Sequence, residues 1–326
     1  MTTSRDAPPR IVRVTRRVPG AVSIDGARVE TLGEGVASRD DLLGFVRGAD
    51  ALVTMFTDRV DAQLLDEAGD GLRVVANFAV GYDNIDLGVC RERGVRVCNT
   101  PDAVTEGTAN MAMLLILACA RRLIEADRYA RSPGYPGGGP LGMDEFMGKD
   151  LAGRELLIVG AGRIGFATAL RAHAFGMRIA YVARSRHLGF EMSPLAARRV
   201  DLEPGLRGAD VVSIHTPLSD DTRRLIDAER IAMMKDDAIL VNTARGPIVD
   251  ESALADALGR GKLWGVGLDV YEREPEVHEG IVSCDRAVLT PHIGSAERRW
   301  RVAMTEMVSS NIAAVLEGRE PPNAIA

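Results

Sequence analysis

The chain has few cysteines, no long apolar run and no excess of positive charge, and each shortfall closes off a class of function. Its four cysteines, Cys90, Cys98, Cys119 and Cys284, form neither a C-x-x-C pair nor a regular spacing. That argues against a zinc site and against a disulfide framework, and it fits a reducing, cytoplasmic compartment. The longest nearly apolar run, Ala109–Ala120, is interrupted by Asn110. It falls well short of the roughly 20 residues that span a bilayer, so it reads as a buried core helix, with no membrane partner. Lys and Arg number 40 against 46 Asp and Glu, for a net charge of −6. No nucleic-acid partner is expected, because such domains carry a basic face. Met1–Arg10 is polar, contains proline and has no apolar core, so no signal peptide is expected there. Internal repeats and low-complexity tails are also absent.

At about 100–200 residues per domain, 326 residues suggest two domains. Short apolar, β-branched runs recur at Ile11–Val14, Ala51–Met55, Arg73–Ala76, Val95–Cys98, Leu156–Val159, Arg178–Val182, Val211–Ile214, Ile239–Val241 and Val266–Val270. Helical patterns lie between many of them, as at Asp61–Ala68, Leu87–Arg93, Arg163–Phe175 and Asp250–Gly259. This alternation predicts an α/β fold with parallel sheets covered by helices on both faces. Ser132–Asp150, rich in glycine and proline, reads as a loop. Its triplet Gly137–Gly139 has no strand closely before it and no clear helix after it, so it does not read as a phosphate loop.

The segment Leu156-Leu-Ile-Val-Gly160-Ala-Gly162-Arg163-Ile164-Gly165 carries a G-x-G-x-x-G pattern between an apolar strand and an alanine-rich helix. In that context the pattern is a dinucleotide fingerprint. Gly160 permits the tight turn, Gly162 lets the backbone approach a pyrophosphate, and Gly165 lets the helix pack on the strand. The helix start at Arg163 and Ile164 offers unpaired N–H groups to the phosphates. About 20 residues on, an acid would bond the ribose 2′-hydroxyl of NAD. Ala183 stands there instead, followed by Arg184, Ser185 and Arg186. Two arginines and a hydroxyl suit a 2′-phosphate, so NADP(H) is the expected cofactor, with NAD(H) still usable.

Three further segments each end a predicted strand: Asn242-Thr-Ala-Arg245-Gly, Leu268-Asp269-Val-Tyr-Glu-Arg-Glu274-Pro and Thr290-Pro-His292-Ile-Gly294-Ser295. Ligands of open α/β sheets bind at the carboxyl ends of strands. An Arg fork there holds a carboxylate, and a His donates a proton to a carbonyl as hydride arrives. A Glu would orient the imidazole and favour its protonated form. Singly, each has a bland reading as a surface ion pair, a solvated acid or a structural histidine. Their joint occurrence after a dinucleotide fingerprint points to reduction of a 2-keto acid.

The set V-G-x-G-R-I-G, N-T-A-R-G, L-D-V-x-E-x-E-P and T-P-H-I-G-S resembles the D-isomer-specific 2-hydroxyacid dehydrogenases, and within them the glyoxylate/hydroxypyruvate reductases. Leu52–Asp61, Val75–Asp86, Asn99-Thr-Pro and Thr105–Ala109 extend the resemblance over nearly the whole chain. It implies two Rossmann-like doubly wound domains with a cleft between them: a substrate-binding, flavodoxin-like domain at 1–104 and 296–326, and an inserted dinucleotide-binding domain at 105–295. It implies that Arg245 binds the substrate carboxylate and keto oxygen, that His292 is the acid/base, and that Glu274 is its partner. Val80 and Gly81 would offer backbone N–H groups to the carboxylate, with Met55 beside the substrate. Thr108, Asp269 and Gly294 would lie near the nicotinamide, and Thr216, Thr243 and Ala244 would line the cofactor. A small anionic 2-keto or 2-hydroxy acid is the implied partner, and a homodimer the implied assembly.

Two features depart from the family pattern. Ser132–Asp150 lacks the tryptophans common there, which leaves substrate size open. Ser295 reads as the N-cap of the last helix, which places Arg298 and Arg301 on one face. They read either as a solvated face or as a second anion site, for a keto acid such as phosphonopyruvate. Arg301 matches an arginine of phosphite dehydrogenases, but those use Lys where Val80 stands, which argues against phosphite oxidation. A dinucleotide-sensing corepressor or binding module is the alternative of another class; the complete Arg–Glu–His set weighs against it.

Overall fold

The computed structural model describes residues 9–325, so most of Met1–Arg10 lies outside the described residues. The chain divides into two compact units, Met1–Val104 with Ser295–Ala326, and Thr105–Gly294.

The first unit is built on a five-stranded parallel sheet in the order β2-β1-β3-β4-β5. Its strands are β1 (Arg10–Val14), β2 (Ala27–Thr31), β3 (Ala51–Thr54), β4 (Val74–Asn77) and β5 (Arg96–Cys98). The central β3 and β4 are buried along their whole length, as a sheet covered on both faces requires. Helices α1 (Arg39–Phe45), α2 (Ala62–Ala68) and α3 (Leu87–Glu92) connect the strands. Each is capped by its preceding residue: Ser38, Asp61 and Asp86 accept the N–H of Asp41, Leu64 and Val89. Such a cap contributes about 1 kcal/mol. The final helix, Arg298–Leu316, packs against β4 and β5. It begins later than expected. Ser295 does not cap it: the Glu297 N–H turns back to the Ser295 carbonyl in a tight turn, and Glu297 occupies the cap position without a side-chain hydrogen bond that caps the helix.

The second unit holds a seven-stranded parallel sheet in the order β12-β11-β10-β9-β6-β7-β8. It opens with α4 (Thr105–Ala120), α5 (Leu123–Arg131) and the short α6 (Gly134–Gly138), the last a helical turn within the segment read as loop. There follow β6 (Glu155–Val159), α7 (Arg163–Ala174), β7 (Arg178–Val182), α8 (Leu188–Glu191), β8 (Arg198–Arg199), α9 (Leu202–Gly208) and β9 (Val211–Ile214). After them come α10 (Ala228–Met233), β10 (Ile239–Asn242), α11 (Glu251–Gly259), β11 (Gly265–Leu268), α12 (Glu279–Val282) and β12 (Ala287–Leu289). Helices α4 and α7 cover one face through Leu115, Ile116 and Ala169. Helices α9, α10 and α11 cover the other through Leu206, Ile231 and Leu254. The strand order reverses between β6 and β9, which is where doubly wound sheets open a crevice at their carboxyl ends.

Among the described residues no single helix is long and apolar enough to cross a membrane, and no cluster of His, Cys, Asp or Glu would hold a metal ion. Burial pushes the Cys90 thiol up to about 11 and those of Cys98 and Cys119 up to about 12. Thiolate is the reactive form, so these three are inert in the folded protein, while Cys284 is partly exposed. Ellman's reagent is expected to modify only Cys284 in the native chain and all four thiols after denaturation. Rapid native labelling of a Cys284→Ser variant would contradict this.

Candidate active site

The glycine turn after β6 has the shape that a dinucleotide needs. Gly160 has φ +107, and a Cβ there would stand 2.7 Å from the backbone of His215 and Thr216, which follow β9. A Cβ on Gly165 would meet the Gly160 carbonyl oxygen at 2.3 Å, so α7 rests directly on the strand end. At Gly162 a Cβ would meet nothing within 4 Å. Gly162 is also the N-cap of α7, and no side chain caps that end. Arg163 and Ile164 thus begin a helix whose N-terminus has no side-chain cap, the kind of helix end that suits an anion. Nδ1 of His215 and Oγ1 of Thr243 are among the buried polar atoms that find no hydrogen-bond partner among the described residues. His215 was not singled out from the sequence. Its Nε2 lies 2.8 Å from Ser213 Oγ, and burial pushes its imidazole down to about 3, so it is neutral.

The turn after β7 carries Ala183, Arg184, Ser185 and Arg186. Arg199 on β8 donates to the carbonyls of Ala183 and Arg184. Arg186 pairs with Glu191, whose carboxyl is held down at about 2 by hydrogen bonds from Arg186 and Tyr181.

The three strand-end segments meet through backbone. Gly246, next to Arg245, lies so close to the Tyr271–Glu272 backbone that a Cβ would fall 1.8 Å from the Tyr271 carbonyl carbon. Asn242 Nδ2 donates to the Arg245 carbonyl at 2.8 Å, and its Oδ1 accepts the Ala244 N–H at 3.0 Å. Glu274 accepts the Tyr271 N–H with Oε1 at 3.1 Å, and its Oε2 lies 2.8 Å from His292 Nδ1. Of the residues expected to act together, Glu274 and His292 are thus joined directly, and the Arg245 loop rests on the loop that carries Glu274.

His292 sits at φ 53, a left-handed conformation that a non-glycine residue adopts at a cost. Asp269, only 1% exposed, holds it there. Its Oδ1 accepts Thr290 Oγ1 at 2.6 Å and the Ile293 N–H at 2.8 Å; its Oδ2 accepts the Gly294 N–H at 2.7 Å. Burial pushes the Asp269 carboxyl upward, and those three bonds oppose the rise. Thr108, in the first turn of α4, lies against Gly294.

Met55, Val80, Gly81, Arg298 and Arg301 belong to the first unit. There Asn99 and Asn77 grip the carbonyls of Val80 and Gly81 at 2.8 Å each. Met55 is buried, and its N–H donates to Asp58 at 2.8 Å.

Residues 113–294 match the model for D-isomer specific 2-hydroxyacid dehydrogenase, NAD binding domain. The chain is 48% identical over 292 residues to the glyoxylate reductase of Thermococcus onnurineus (strain NA1), covering 88% of this chain and 86% of that one. This chain is a D-isomer-specific 2-hydroxyacid dehydrogenase. As a member of that family it is an oxidoreductase. A solved protein of Thermus thermophilus matches it at a TM-score of 0.90 and 45% identity, over 97% of this chain and 100% of that one. An NADPH-dependent glyoxylate/hydroxypyruvate reductase from Sinorhizobium meliloti, solved with NADP and malonate, matches at 0.84 and 30%, over 98% and 97%.

In this dehydrogenase, Asp269→Asn would turn a donor toward backbone N–H groups that need an acceptor. Leaving such groups unpaired costs roughly 1–3 kcal/mol each. Urea unfolding is expected to show a lower midpoint together with reduced turnover; an unchanged midpoint and turnover would contradict the clamp.

Proposed function

We propose that this dehydrogenase reduces small 2-keto acids of the glyoxylate and hydroxypyruvate type to D-2-hydroxy acids, with NADPH preferred over NADH. The observation that carries the reading is the 2.8 Å contact between Glu274 and His292 at the end of β12, in the same unit as the open glycine turn. The cofactor, when bound, supplies the hydride. His292 gives a proton to the carbonyl oxygen, and Glu274 stabilises the imidazolium before that transfer. Arg245 holds the substrate carboxylate as a planar fork. In the first unit, Val80 and Gly81 have their carbonyls engaged by asparagines, which supports a role for their N–H groups toward a carboxylate. Thr108, Asp269 and Gly294 border the nicotinamide, and Thr216, Thr243 and Ala244 border the rest of the dinucleotide. The printed activities of the Thermococcus and Sinorhizobium relatives support this substrate class, and Arg184 with Ser185 supports a 2′-phosphate. Homodimerisation fits helix α5, none of whose residues is buried within its own chain.

A second reading, a keto acid with a further anionic group, is favoured by Arg298. It is exposed in the first turn of the final helix and has no acidic partner among the described residues. A panel of keto acids with and without a second anion separates the two. Loss of selectivity for the dianionic acids in Arg298→Ala or Arg301→Ala would support this second reading.

His292→Ala is expected to lower kcat by ~10²–10⁴-fold, the range of a general acid, and Arg245→Ala to abolish turnover at ordinary substrate concentrations. Near-parental activity in either would overturn the mechanism. Glu274→Gln keeps the shape but removes the charge that faces His292, so reductive kcat should fall by about tenfold or more. A kcat that does not fall would exclude that role. A kcat/KM higher for NADH than for NADPH would refute the cofactor assignment.

A further inference from the structure

We propose that Glu191 tempers cofactor discrimination by sequestering Arg186, which leaves Arg184 with Ser185 to meet a ribose 2′-phosphate. The inference rests on the NADP(H) reading above and divides labour among residues that the sequence presents as equivalent.

Glu191 is a built feature. Its side chain is 17% exposed, against 70% for Arg186. Oε1 accepts the Tyr181 hydroxyl at 2.7 Å, and that hydroxyl in turn accepts the His187 N–H at 3.0 Å. Tyr181 is fully buried, its ring 4.9 Å from that of Phe190, which meets Phe166 of α7 edge-on at 5.4 Å. The carboxylate is therefore fixed to the core, and the flexible arginine comes to it. Arg186 Nε lies 3.2 and 3.0 Å from the two carboxylate oxygens, and Nη2 bonds Oε2.

The other cations of this turn are placed differently. Arg199 spends its Nε and Nη2 on the carbonyls of Ala183 and Arg184, fixing the backbone of the turn. Arg184 is exposed, and among the described residues no ion pair or hydrogen bond engages its guanidinium. A phosphate arriving at this turn finds one arginine available and one already held in a forked carboxylate pair. Glu191 acts twice in the same direction. It withholds a cation, and it sets a negative charge beside a site meant for a dianion. Both effects narrow the gap between NADP(H) and NAD(H).

The test uses calorimetric binding of adenosine 2′,5′-bisphosphate and adenosine 5′-monophosphate to the intact chain, alongside kcat/KM for NADPH and NADH. Glu191→Gln keeps the shape and removes the charge. It is expected to tighten bisphosphate binding about two- to fivefold, the scale of an exposed charge pair, and to leave the monophosphate unchanged. Arg184→Ala should weaken bisphosphate binding by about tenfold or more. Arg186→Ala should leave the bisphosphate-to-monophosphate ratio within about twofold in the parent, yet cancel the gain in the Glu191→Gln background. Thermal melts by circular dichroism check that each variant is folded. Weaker or unchanged bisphosphate binding in a folded Glu191→Gln chain, or an Arg186→Ala loss equal to that of Arg184→Ala, would overturn the proposal while leaving the NADP(H) reading intact. A parent that binds both nucleotides equally would sink the reading and the proposal together.

Discussion

The buried carboxylate of Asp269 is the constraint on which the conformation around His292 depends. A histidine at φ 53 does not stay there unaided. Asp269 directly follows β11 and grips residues on both sides of His292, taking Thr290 by its hydroxyl and Ile293 and Gly294 by their amides. The strand fixes the carboxylate, the carboxylate fixes the turn, and the turn aims the imidazole at Glu274. Gly294 is small because of the same contact: a Cβ there would press on Asp269 Oδ2 at 2.9 Å.

Much of this was legible in the sequence because local signals and tertiary demands agree. Buried parallel strands are mostly apolar, and the runs Val211–Ile214 and Ile239–Val241 are visible as such and lie in fully buried strands. The Asp residues before α2 and α11 announce their helices by capping them. Arg245, Glu274 and His292, the residues proposed to act, each follow a recognisable strand, and the structure joins Glu274 to His292.

What escaped has a common physical character. β8 is two exposed arginines, Arg198 and Arg199, whose place in the sheet comes from pairing with Ala180 and Tyr181 and not from hydropathy. β2 is a half-exposed edge strand with little apolar pattern. Ser295 has the chemistry of a cap, yet the backbone turns once more before the helix begins. His215 and Glu191 are set by three-dimensional neighbours, a serine two residues back and a tyrosine ten residues back. Periodicity does not encode such pairings. The sequence shows two equivalent arginines at 184 and 186; only the fold shows that one of them already has an occupant.

The contact at Gly246 bears on how this protein can change. Where backbone touches backbone with no side chain between, neither loop can be lengthened, reshaped or swapped without the other. The arginine loop and the glutamate loop therefore form a single inherited piece. Natural drift and laboratory redesign alike must carry the two loops together, exchanging only side chains around them while Glu274 and His292 stay in register.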